Sequence, residues 1–162
     1  MQSELEAVEL LTNRLTSTPR QSLKESRALR EKHRKRIFDA MTNDGKTYGE
    51  AIGGLEFLGK QDTPAYLKSI QNDLGRQVEI CNEVLDQYFQ MGEPMYPGYF
   101  FRVAVILRKH KAFEHEKEFI RAYALHSYGA DNTTEKKMSA RADKLGVAPV
   151  NPPQFLKAGS AI

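Results

Sequence analysis

A chain of 162 residues with 40% hydrophobic and 28% charged residues can build a real core and a solvated surface, which excludes wholesale disorder. Its formal net charge of +3 is too small to imply a nucleic-acid partner by itself. The single cysteine, Cys81, excludes an intramolecular disulfide, and its apolar neighbours make it a small core residue rather than a reactive thiol.

The acidic start, MQSELEAVELL, lacks the basic region of a secretory signal. The longest apolar run, around Met95 to Leu107, is interrupted by Pro97, Gly98 and Arg102. It falls short of the ~20 residues that span a bilayer. A cytoplasmic protein without membrane contact is expected.

Ser3 and Glu6 have the spacing of a capping box, followed by Leu5, Val8, Leu11 and Leu15 at helical period. Thr18-Pro19, with Gln21 to complete a box, marks a second helix running to about Met41; Asn43-Asp44-Gly45 is a turn. Thr47 and Glu50 open a short helix to about Leu58. Its Gly53-Gly54 pair signals a close helix approach or a break. Thr63-Pro64 opens the clearest helix, with a stripe of Leu67, Ile70, Leu74, Val78, Cys81, Val84 or Leu85, and Tyr88, ending at a left-handed Gly92.

Tyr99 to Leu107 is apolar nearly all round, and no second segment offers a strand to pair with it, so a buried central helix is expected. Phe113, Phe119, Ile120 and Tyr123 line the next helix, and a short polar helix spans about Thr134 to Leu145. Pro149, Pro152 and Pro153 forbid a continuing helix. The expectation is an all-α fold, a single helical domain of about six to seven helices over residues 1–145. Residues 1–41 are a candidate projecting helical pair, and 146–162 form an extended C-terminal tail.

Phe100, Val103, Ala104 and Leu107 have the spacing of a large aromatic, a large-small pair and a further large residue, with Lys111-Ala112-Phe113 at the turn and Ile120 in the following helix. Residues 99–127 therefore resemble one degenerate tetratricopeptide repeat, an antiparallel helical hairpin. Glu116 departs from the family's small residue at its site, and moving one repeat length (about 34 residues) upstream finds no second copy. The resemblance implies a partner-binding face carrying Phe101, Arg108 and Lys109, suited to a protein or peptide with a carboxylate.

The densest charge is LKESRALREKHRKRIF, Leu23 to Phe38, with seven cations against two carboxylates. Arg27, Arg30 and Arg34 line up at spacings of three and four in a stripe that could neutralise phosphates, and Lys35 is a further candidate for the same role. The helix's thin apolar side could also seam with a copy of itself, making a homo-oligomer. His110, Glu114, His115 and Glu118 match no known ligand spacing, so no metal is expected. No phosphate loop, dinucleotide pattern or nucleophile elbow is present, so neither a cofactor nor enzymatic activity is expected. The leading expectation is a non-enzymatic helical interaction or adaptor protein; the alternative is a nucleic-acid-binding or regulatory protein using residues 20–41.

Overall fold

The computed structural model describes residues 1–153. Among them are eight helices: α1 (Gln2–Ser17), α2 (Leu23–Thr42), α3 (Tyr48–Ile52), α4 (Thr63–Ser69), α5 (Leu74–Met91), α6 (Pro97–Lys109), α7 (Phe113–Ala124) and α8 (Thr133–Leu145). The all-helical class and single domain agree with the sequence reading; the count of six to seven does not. The extra helix arises where one helix was expected from Thr63 to Met91. The chain breaks after Ser69, and the Asp73 carboxylate caps a new helix by accepting from the Arg76 amide at 2.9 Å. Gln77 donates to the Ile70 carbonyl at 3.1 Å, so the break itself is hydrogen-bonded.

Other boundaries move for similar local reasons. Thr18 does not start α2. It closes α1, its hydroxyl donating back to the Arg14 carbonyl. The reciprocal box sits one turn later: Ser22 Oγ accepts from the Glu25 amide at 3.1 Å, and the Glu25 carboxylate accepts from the Ser22 amide at 2.8 Å. At the N-terminus Met1, not Ser3, is the cap. Thr47 does cap α3, but that helix stops at Ile52 because Gly53 turns left-handed with φ +77°.

The core is built around α5 and α6, the two helices the apolar stripes single out. Ile80, Cys81, Val84 and Leu85 of α5 meet Phe100, Val103, Ala104 and Leu107 of α6, all fully buried. Against this pair α7 places Phe119, Ile120 and Tyr123, with Phe100 stacked on Phe119 at 6.3 Å between centroids. Helix α1 packs against α7 and α5 through Val8, Leu11 and Leu15, while α8 lies over α6 and α7. Helix α2 touches only α3 and α5 among the helix pairs in broad contact, and Ala40 is its one fully covered side chain.

The chain after α8 turns at a left-handed Gly146, φ +70°. Val147 and Pro153 are buried, and Arg20 donates to the Asn151 carbonyl at 2.8 Å. The rest of the expected extended tail, 154–162, lies outside the described residues. No described helix is long and apolar enough to cross a membrane.

Candidate interaction surface

The hairpin of α6 and α7 turns through residues 110–112, with Lys111 in a left-handed conformation. Phe100, Val103, Ala104 and Leu107 all point into the core. The three residues assigned to its partner-binding face are separated by their surroundings. Phe101 is half-buried, and Lys137 of α8 sits 5.7 Å from its ring centroid. Lys109 is exposed and reaches Asn72 at 3.3 Å. Arg108 donates through Nε to Glu116 at 2.9 Å.

Glu116, one of the departures from the repeat pattern, has a structural role. Its side chain is fully buried, and two guanidiniums hold it: Arg108, and Arg141 of α8 through Nε at 2.8 Å and Nη2 at 2.9 Å. Burial alone would raise this carboxyl, but the hydrogen bonds from Arg141 and Arg108 outweigh it and hold the group below its ordinary value. The carboxylate thus fastens α8 onto the hairpin, and Arg108 is spent on that internal contact.

Helix α2 divides its cations between two sides and an inner edge. Arg27 and Arg34 are exposed along one side, and Lys35 lies on another, beside a hollow shared with Lys32, Asp44 and Lys46. Arg30 is half-buried and donates from Nε and Nη2 to the Gly92 carbonyl at 3.3 and 3.1 Å. Of the expected arginine stripe, Arg27 and Arg34 are left open, while Arg30 is engaged at Gly92. Gly92 is where α2 crosses the end of α5: a Cβ there would meet the Ser26 carbonyl oxygen at 2.3 Å, and its φ is +70°.

Beside this crossing lies a groove of about 750 Å³ along the helix. Ala28 and Ile37 line it, Arg27 and Arg34 flank it, and Phe38 and Met41 stand at its open end with 65% and 40% exposure. Glu93 closes the inner wall, buried, with one oxygen accepting from the Tyr48 hydroxyl. Burial first, then the Glu93 carboxylate, pushes that phenol far above its ordinary value, so Tyr48 stays a hydrogen-bond donor. The sequence reading passed over Phe38. Its signal was position: it lies one residue past Ile37, so both cannot face the body of a helix this thinly apolar.

Several other polar side chains make contacts between elements of the fold. Tyr123 donates to Glu135 at 2.6 Å, and His126 meets the Leu15 carbonyl at 2.6 Å. His115 pairs with Glu9 across the α1–α7 seam at 2.8 Å. Burial raises the Cys81 thiol well above its ordinary value, which keeps it protonated. Compared with family models, with curated proteins and with solved structures, the chain matches none.

Proposed function

We propose that this chain is a non-enzymatic helical interaction protein whose recognition surface is the exposed side of α2. The observation that carries the reading is the groove of about 750 Å³ with two large apolar side chains standing open at one end and arginines along its flank. An exposed apolar pair rimmed by charge is the ordinary composition of a docking face. In this reading the α6–α7 hairpin is a single repeat-like unit used as scaffold, because Arg108 is committed to Glu116 and α8 lies over Phe101. The non-enzymatic part is supported by Glu116, whose two carboxylate oxygens are both held by internal arginines.

Site-specific photo-crosslinking tests the surface. A photoreactive residue replacing Phe38 should give a discrete protein adduct in cells. The same residue replacing Leu10, which is 72% exposed on α1, should not. Equal labelling at both positions would overturn the assignment.

The second reading, nucleic acid on the same helix, is favoured by the exposure of Arg27, Arg34 and Lys35. It requires an affinity that falls steeply between low and moderate salt. It also requires a phosphate backbone to pass Glu31, which lies between Arg27 and Arg34 on the same side. Titration of mixed nucleic acids at two salt concentrations separates the two readings.

A further inference from the structure

We propose that the occupant of the α2 groove is α2 of a second copy of this chain, running antiparallel across a two-fold axis. The proposal rests on the reading of α2 as an interaction surface and names its partner.

Lys24, Arg27, Glu31, Arg34, Phe38 and Met41 follow one another at alternating spacings of three and four. That is the spacing of a two-helix seam. The spacing, though not the residues, is symmetric about the point between Lys32 and His33, so reversal pairs each position with another of the same series. A two-fold contact demands this property, since residue i must meet residue j wherever j meets i. Reversal sets Met41 of one copy on Lys24 of the other, Phe38 on Arg27, and Glu31 against Arg34, each contact occurring twice. By the same symmetry Ala28 meets Ile37, and both already line the groove.

Each layer has a chemical basis. The aliphatic stem of Lys24 can cover Met41 while its ammonium reaches water. The Arg27 guanidinium can lie on the face of Phe38. Glu31 and Arg34, 77% and 76% exposed, are joined within the chain only at 3.7 Å, so both keep capacity for a partner. The arrangement also selects the occupant. A foreign acidic helix, or a phosphate backbone, would bring negative charge against Glu31 at the middle of the seam. A second copy brings Arg34 there. From Lys24 to Met41 the seam is about 26 Å long, at the rise of an α-helix. That is a small interface, and each seam keeps an excess of cations, so the dimer is reversible and concentration-dependent.

The test is charge exchange followed by sedimentation equilibrium at up to hundreds of micromolar. The unaltered chain should show a reversible monomer–dimer equilibrium. Glu31→Arg alone and Arg34→Glu alone should each weaken it about tenfold or more, because like charges then face each other twice. An equimolar mixture of the two variants should regain the dimer, and so should the double variant on its own. Recovery on mixing is a readout that misfolding would not give. A strictly monomeric chain, a dimer indifferent to the single variants, or no recovery on mixing overturns the proposal. A monomeric chain that still crosslinks another protein from position 38 would lose only the second copy. A chain with neither dimer nor protein adduct would lose the interaction surface as well.

Discussion

Two surfaces of this molecule set an arginine close to a phenylalanine on a helix, and they end differently. On α6, Arg108 turns to the buried Glu116 and Phe101 lies beneath Lys137. On α2, Arg27 and Arg34 stand by Phe38 without an ion pair to the buried Glu93, which is held by Tyr48, and Phe38 remains 65% exposed. The difference lies in what packs above. Helix α8 supplies Arg141 and completes a three-member cluster over the hairpin, whereas among the described residues no helix covers the outer side of α2. The lesson is that a cationic, partly apolar helix face becomes a docking candidate only when its charges are not already used inside the fold.

The comparison breaks most visibly at the hairpin. Arg141→Ala removes two of the three hydrogen bonds to a carboxylate that is fully buried in the folded chain. The loss should be about 3–5 kcal/mol, the usual consequence of unpairing a buried charge, read as a fall in the urea midpoint. An unchanged midpoint would mean that α8 is held by its apolar contacts alone. The next largest effect belongs to Gly92→Ala, where a new Cβ meets the Ser26 carbonyl oxygen at 2.3 Å in a backbone conformation that disfavours side chains. It should cost about 2–4 kcal/mol. Because α2 must move to relieve the clash, hydrogen exchange should rise first around Ser26 to Arg30.

The elements the sequence made legible are those whose signals are local and uncontested. The α5 stripe, the left-handed Gly92 and the apolar α6 needed only periodicity and one turn residue. Where two local signals competed, periodicity misled. Leu67, Ile70 and Leu74 continue a helical stripe straight through the Asp73 cap, which hid the break between α4 and α5. Thr18-Pro19 outshone Ser22 and Glu25, although the latter carried the true box. The fate of the hairpin face was illegible for another reason. Arg141 and Glu116 stand 25 residues apart, and nothing in either segment announces that they meet. Likewise the thin apolar side of α2 was visible, but which of Ile37, Phe38 and Met41 would face outward depends on how α5 docks.

Smaller effects sharpen the account of what holds α2 in place. Ser22→Ala removes one half of the capping box and should cost about 1 kcal/mol. Calorimetry that finds no change would make the contact at Gly92 the sole anchor of that end. Stability should also depend on pH through His126, which lies behind the α1–α2 connection. Burial pushes its imidazole below the ordinary value, with the Leu15 carbonyl pulling the other way. A histidine depressed in the folded state contributes stability above its unfolded value of about 6.5, and that contribution is lost as pH falls through the folded value. The urea midpoint should therefore fall more between neutral pH and mildly acidic pH in the unaltered chain than in His126→Gln. Parallel pH profiles would remove His126 from the account.

The smallest effect on stability is expected at Phe38, and it decides most about function. A side chain 65% exposed contributes little to the core it does not enter. Phe38→Ser should shift unfolding by no more than about 0.5 kcal/mol. If α2 is a docking face, the same change removes the largest open apolar group from the groove and abolishes association. Loss of association with stability preserved is the signature of a surface kept for a partner. A clear drop in stability would instead mean that Phe38 packs within its own chain, and the contrast between the covered hairpin and the open helix would disappear.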